Sequence, residues 1–206
     1  MPNDITIEDD EALRKKTEEL KQIVLASIPD NVDSPGRLSQ GLFISFINVT
    51  APVAQFSTDT GIATTEYEGL RGGRTRKPGN IILSWDKLFA LIPDMVLSFF
   101  GFTGPPWLLV FVALKVAATV WSSSAEKLSP EHAMTLYAMW NHGRQQGKRV
   151  GEDDAFACTN EHLARHNMAP LSRNRFAAII DDLCALRCIK LKEGVIHLTE
   201  YVKNKY

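Results

Sequence analysis

The feature that most limits what this chain can fold into lies near its end. There a helix-spaced apolar stripe, Phe176, Ile179, Ile180, Leu183 and Leu186, runs directly into Cys188-Ile-Lys-Leu-Lys-Glu-Gly-Val-Ile-His-Leu-Thr199. Apolar residues at three- and four-residue intervals demand that one face of a helix be buried. The segment after them reads as two strands about Glu193-Gly194, with glycine supplying the positive backbone angle of a two-residue turn. Ile189 and Leu191 belong to the first strand, Val195 with Ile196 or Leu198 to the second, and residues 199–202 finish that second strand.

Two further helices are predicted ahead of this unit. Ser129, Pro130 and Glu131 combine a hydroxyl cap, a first-turn proline and an early acid. Ala133, Leu136, Tyr137 and Trp140 then share one face, and the helix runs out near Gly143. A polar stretch over 144–154 leads to a second helix within 154–167, with Leu163 inward and Thr159 as one candidate cap. Met168-Ala-Pro-Leu171 turns the chain, and Ser172 caps the third helix. Three helices closed by a hairpin, over about residues 128–202, resemble the winged helix-turn-helix superfamily. The resemblance implies that the third helix lies in a DNA major groove and that the wing touches phosphate. Carried onto this chain, it assigns base contact to Arg173, Asn174 and Arg175 and backbone contact to Lys190 and Lys192. Arg and Asn have the donor and acceptor geometry for guanine and adenine edges. Asp181 and Asp182 on the same helix and Glu193 at the wing tip oppose a phosphate backbone, a mixed charge that also suits winged helices that bind proteins.

Charge is unevenly spread along the 206 residues. Residues 1–34 hold four basic and nine acidic side chains, 35–128 eight and six, and 129–206 eleven and nine, so an acidic head precedes a weakly basic body. A net charge of −1 lacks the basic excess of a dedicated non-specific DNA binder. Cys158, Cys184 and Cys188 are odd in number and form no CxxC pair, which predicts reduced thiols and a cytoplasmic setting. Residues 1–10 are polar and acidic, unlike a secretory signal.

Upstream, Thr6 and Asp9 open an amphipathic helix from about Glu8 to Ile28, stopped by Pro29, with Leu13, Thr17, Leu20 and Val24 as a short heptad-like seam. This is a surface helix on the body or an arm for a partner. Residues 30–40 read as a loop, and residues 41–49 as a strand buried on both faces, with 61–67 as its partner. Residues 69–80 form a glycine-rich loop carrying Arg71, Arg74, Arg76 and Lys77, a candidate phosphate or acidic-partner contact that lacks the Gly-Lys-Ser/Thr ending of a phosphate-binding loop. Residues 81–121 are very apolar, with runs at 88–92, 95–100 and 107–114 and a second helix starting at Pro106. No run reaches the length of a membrane span, and Asp94 and Lys115 interrupt them. A helix apolar on nearly every side must be covered, so Phe99, Phe100, Trp107, Leu108, Phe111 and Leu114 are predicted as core or subunit interface.

No catalytic or metal motif competes. His162 and His166 are four apart, but Leu163 stands where a zinc protease needs Glu. A Cys184, Cys188 and His197 site lacks a nearby fourth ligand. No metal and no cofactor are expected. The sequence therefore predicts an α+β, mostly helical protein in three parts: an acidic helix (1–34), a mixed region with an apolar helical pair (35–127) and a winged-helix domain (128–206). Its expected role is a non-catalytic accessory or adaptor subunit of a larger cytoplasmic complex that contributes nucleic-acid contact. The alternative is a homodimeric DNA-binding transcription regulator.

Overall fold

The computed structural model describes residues 7–30, 32, 34–55, 75–92, 104–121 and 127–206. The protein is α+β and mostly helical, with small antiparallel sheets. Helix α1 (Ile7–Ser27) is the predicted amphipathic helix. Leu20 and Val24 are fully buried against α2 and the fourth helix, so its apolar seam is used within this chain.

Residues 30–49 depart from the sequence reading. Helix α2 (Pro35–Phe46) replaces both the second half of the expected loop and most of the expected strand, and only its end passes into β1 (Ile47–Thr50). Pro35 occupies the first helical turn, where its missing N–H costs nothing, and Leu38, Leu42 and Phe46 recur every four residues as the buried face. A short apolar run fits a helix or a strand, and the four-residue recurrence decided for helix.

A β2–β3 ribbon (Val53–Gln55 with Thr75–Lys77) follows, and then β4 (Asn80–Ser84). Arg76 and Lys77 thus belong to a strand, not to the expected loop; Arg71, Arg74 and residues 61–67 lie outside the described residues. Ile81, expected to open the apolar helical pair, sits in β4, which pairs with β1. Helix α3 (Trp85–Leu91) comes next, and α4 (Pro106–Val120) matches the predicted helix after Pro106. Phe99 and Phe100 lie outside the described residues. Among the described residues no helix is long and apolar enough to cross a membrane.

Helix α4 is covered by the chain itself. Leu109, Val110, Val112, Ala113, Leu114, Val116, Ala117 and Ala118 are buried against α1 and α5 (Pro130–Gly143). Leu114, expected in the core or at a subunit interface, is fully buried in the core. Trp107, Leu108 and Phe111 are half-buried against the same core, and Lys115 lays its ammonium 4.8 Å from the Phe111 ring centre. The four-carbon stem of lysine covers apolar surface while its charge stays wet.

The remaining elements are β5 (Arg149–Gly151), α6 (Glu152–Arg165), α7 (Arg173–Ala185), β6 (Ile189–Lys192), β7 (Val195–Leu198) and β8 (Tyr201–Lys205). The expected polar stretch over 144–154 contains β5 and the start of α6, and Thr159, expected as a cap, is fully buried in the middle of α6. The second hairpin strand does not continue to Val202. It ends at Leu198, and β8 leaves to pair with β4, giving sheet orders β1-β4-β8 and β5-β7-β6.

That exchange joins the two ends of the chain. Phe89 of α3 stacks on Trp140 of α5 at 4.5 Å, Phe46 meets Trp85 edge-on at 4.9 Å, and Lys148 bonds Asp86 (2.8 Å) and Glu200 (2.6 Å). Burial weakens the Lys148 ammonium, but these two carboxylates outweigh it and hold its pKa above the ordinary value. One continuous buried cluster runs from Leu20 to Val202.

Candidate docking surface

Helix α7 starts where expected: Ser172 Oγ accepts the Arg175 backbone N–H at 3.2 Å. Phe176, Ile179, Ile180 and Leu183 face inward, and Leu186 is buried just beyond the helix end. The side chains around this first turn are already engaged. Arg173 pairs with Asp153 at 2.7 Å and lies over the Phe156 ring, 4.1 Å from its centre. Asp153 is one of three acids, with Glu152 and Asp154, in the first turn of α6, where the helix dipole favours negative charge. Arg175 donates to Glu131 Oε2 from both Nε (2.8 Å) and a terminal nitrogen (2.7 Å), and that terminal nitrogen also reaches Ser129 Oγ at 3.4 Å. Of the three predicted base-reading residues only Asn174 is exposed with no carboxylate holding it among the described residues.

The rest of the α7 solvent face is Ala177, Ala178, Asp181 and Ala185. Asp182, expected to be exposed, is half-buried and tied inward by His132, which is fully buried. His132 Nδ1 accepts the Ser129 backbone N–H at 3.1 Å, so Nε2 carries the hydrogen and donates to Asp182 Oδ2 at 3.1 Å. One buried ring thus caps α5 and anchors α7. Sequence reading passed over it because histidine at the third helical position is not part of the usual capping pattern.

In the hairpin, Glu193 (φ 53°) and Gly194 (φ 72°) both adopt left-handed backbone, the signature of a type I′ turn. Lys190 and Lys192 are exposed as expected, and the register sets Lys190 opposite His197. On the other side of β7, Arg149 of β5 also stands opposite His197. Arg149 was missed because residues 144–154 read as a connector; the alternation of Arg149, Val150 and Gly151 is too short to announce a strand. A groove of about 770 Å³ lies between the hairpin and β8, lined by Lys190, Lys192, His197 and Tyr201 among others. A second groove of about 510 Å³ separates α1 from α2, with Leu25, Phe43 and Ile44 along it.

His162 and His166 sit with ring centres 4.8 Å apart, and His162 also packs 5.1 Å from Tyr137. Burial, then His166 and Arg165, lower the His162 pKa. Among the described residues no three His, Cys, Asp or Glu side chains group to hold a metal ion. The thiols are poorly activated. Burial, then Asp154 and Glu161, push Cys158 up to about 11, and burial also raises Cys184 and Cys188. No protein-family model matches the chain, and neither a curated protein nor a solved structure is significantly similar to it.

Proposed function

We propose that this chain is an accessory subunit of a larger cytoplasmic complex, acting by binding through a C-terminal winged-helix module. The order α5-β5-α6-α7-β6-β7, with β5 added outside β7, supports the winged-helix reading. The three unpaired cysteines suit a reducing compartment. Their raised pKa values keep them as thiols near neutrality, which supports binding over thiol chemistry.

The observation that carries the proposal is the first turn of α7. Arg173 and Arg175, to which the winged-helix resemblance assigns base reading, are held by Asp153 and Glu131. The remaining solvent face, Ala177, Ala178, Asp181 and Ala185, is small and acidic. Small side chains let another polypeptide pack closely, and an acid repels phosphate.

The test is to isolate the tagged full-length protein from its host with and without nuclease, then identify and size what comes with it. A stoichiometric protein partner that survives nuclease, and that Ala178→Arg releases without moving the urea midpoint, supports the adaptor. A dimer of this chain holding only DNA replaces it with the transcription-regulator reading.

A further inference from the structure

Three basic side chains stand side by side on the open face of the β5-β7-β6 sheet. Arg149 is opposite His197, and His197 is opposite Lys190. Lys192 lies two residues along β6, on the same face and about 6.6 Å away by strand geometry. Val150, Ile189 and Ile196 alternate with these residues and are buried, so the basic row faces solvent. Arg149, Lys190 and Lys192 have no carboxylate partner among the described residues, and neighbouring Glu200 is taken by Lys148.

Beside it, across the groove, stands Tyr201, 62% exposed and the most exposed large aromatic side chain among the described residues. Lys203 and Lys205 follow on the same face of β8, both exposed and without a carboxylate partner among the described residues. Glu193 lies at the hairpin tip, beyond the row.

We propose that this surface binds single-stranded nucleic acid, with phosphates along Arg149, Lys190 and Lys192 and a base stacked on Tyr201. The inference rests on reading residues 130–206 as a docking module, but it moves nucleic-acid contact from α7 to the sheet. An open aromatic ring among cations is a stacking platform, and an unpaired base has a free face to cover it. An acidic polypeptide would neutralise the lysines and leave the ring exposed. A second copy docking face to face would set like charges against each other.

The experiment is fluorescence anisotropy of the full chain with a labelled oligothymidine, a duplex of matched length and polyglutamate as competitor, across a salt series. Oligothymidine is expected to bind in preference to duplex. Combined Arg149→Gln, Lys190→Gln and Lys192→Gln should flatten the slope of log affinity against log salt by about 2. Tyr201→Leu should weaken binding about 5- to 100-fold at unchanged slope, whereas Lys15→Gln, exposed on α1, changes neither. The triple variant should keep its unfolding temperature, which separates lost binding from lost fold. Preference for duplex would return the contact to α7. Equal displacement by polyglutamate with Tyr201→Leu silent would assign an acidic polypeptide, and no binding at low salt would remove the site. These outcomes overturn the sheet proposal and leave the adaptor reading to its own test, the nuclease-resistant partner.

Discussion

His132 shows how much one residue can hold. Its ring is fully buried and satisfies a backbone N–H at the start of α5 and a carboxylate on α7. His132→Ala would orphan the Ser129 N–H and leave a void, and should cost about 2–4 kcal/mol in urea unfolding. An unchanged midpoint would show that the capping ring is dispensable. Cys158 gives a residue-scale pH dependence. Its pKa is about 11 in the fold against an ordinary 9.0, so the folded state keeps a proton that the unfolded chain loses. Its contribution is intact below pH 9.0 and is lost as pH rises through about 11. Cys158→Ala should therefore flatten the fall in stability across that window by about 1–2 kcal/mol after solvent screening; a variant with the same alkaline limb would show that the thiol does not set it. None of this was visible in the sequence, where His132 and Cys158 are merely a polar residue in a helix and an odd cysteine.

At the scale of elements, local chemistry was legible where it is self-contained. The α7 stripe, its Ser172 cap, the Pro106 and Pro130 helix starts and the turn at Glu193-Gly194 all follow from neighbours a few residues apart. Glu193 is the weak point of that turn, since a side chain at positive φ is strained unless it is Gly, Asn or Asp. Glu193→Asn should stabilise the protein by about 0.5–1 kcal/mol, read as a higher thermal midpoint. A lower midpoint would mean that Glu193 makes a contact worth more than the strain. Residues 35–46 and β5 went unread for the opposite reason. A run such as Gly41-Leu-Phe-Ile-Ser-Phe46 satisfies either period, and a three-residue strand is defined by its partner across the sheet more than by its own residues.

At the scale of the molecule, β8 ties the end of the chain to the sheet formed by β1 and β4. It lines β4, buries Val202, lets Asn204 bond the Val120 carbonyl at 3.0 Å and brings Tyr206 OH to the Thr50 carbonyl at 3.1 Å. Truncation after Glu200 exposes the edge of β4 and should cost at least about 3 kcal/mol. Amide hydrogen exchange should then rise first in β1 and β4 while α5 to α7 stay protected. Equal loss of protection everywhere would show that β1 and β4 do not open separately from α5 to α7.

The sequence by itself determined the helical character, the acidic first helix, the apolar fourth helix and the helix-helix-helix-hairpin order of the last eighty or so residues. Each is written in periodicity, caps and turn residues, which act over one or two helical turns. Only the tertiary structure decided that α4 is covered from within, that Arg173 and Arg175 are held by acids 20 and 44 positions earlier, and that Arg149, His197 and Lys190 form one row. These depend on which surfaces meet and in what register, and residues far apart in the chain carry no local signal of the partner they will face.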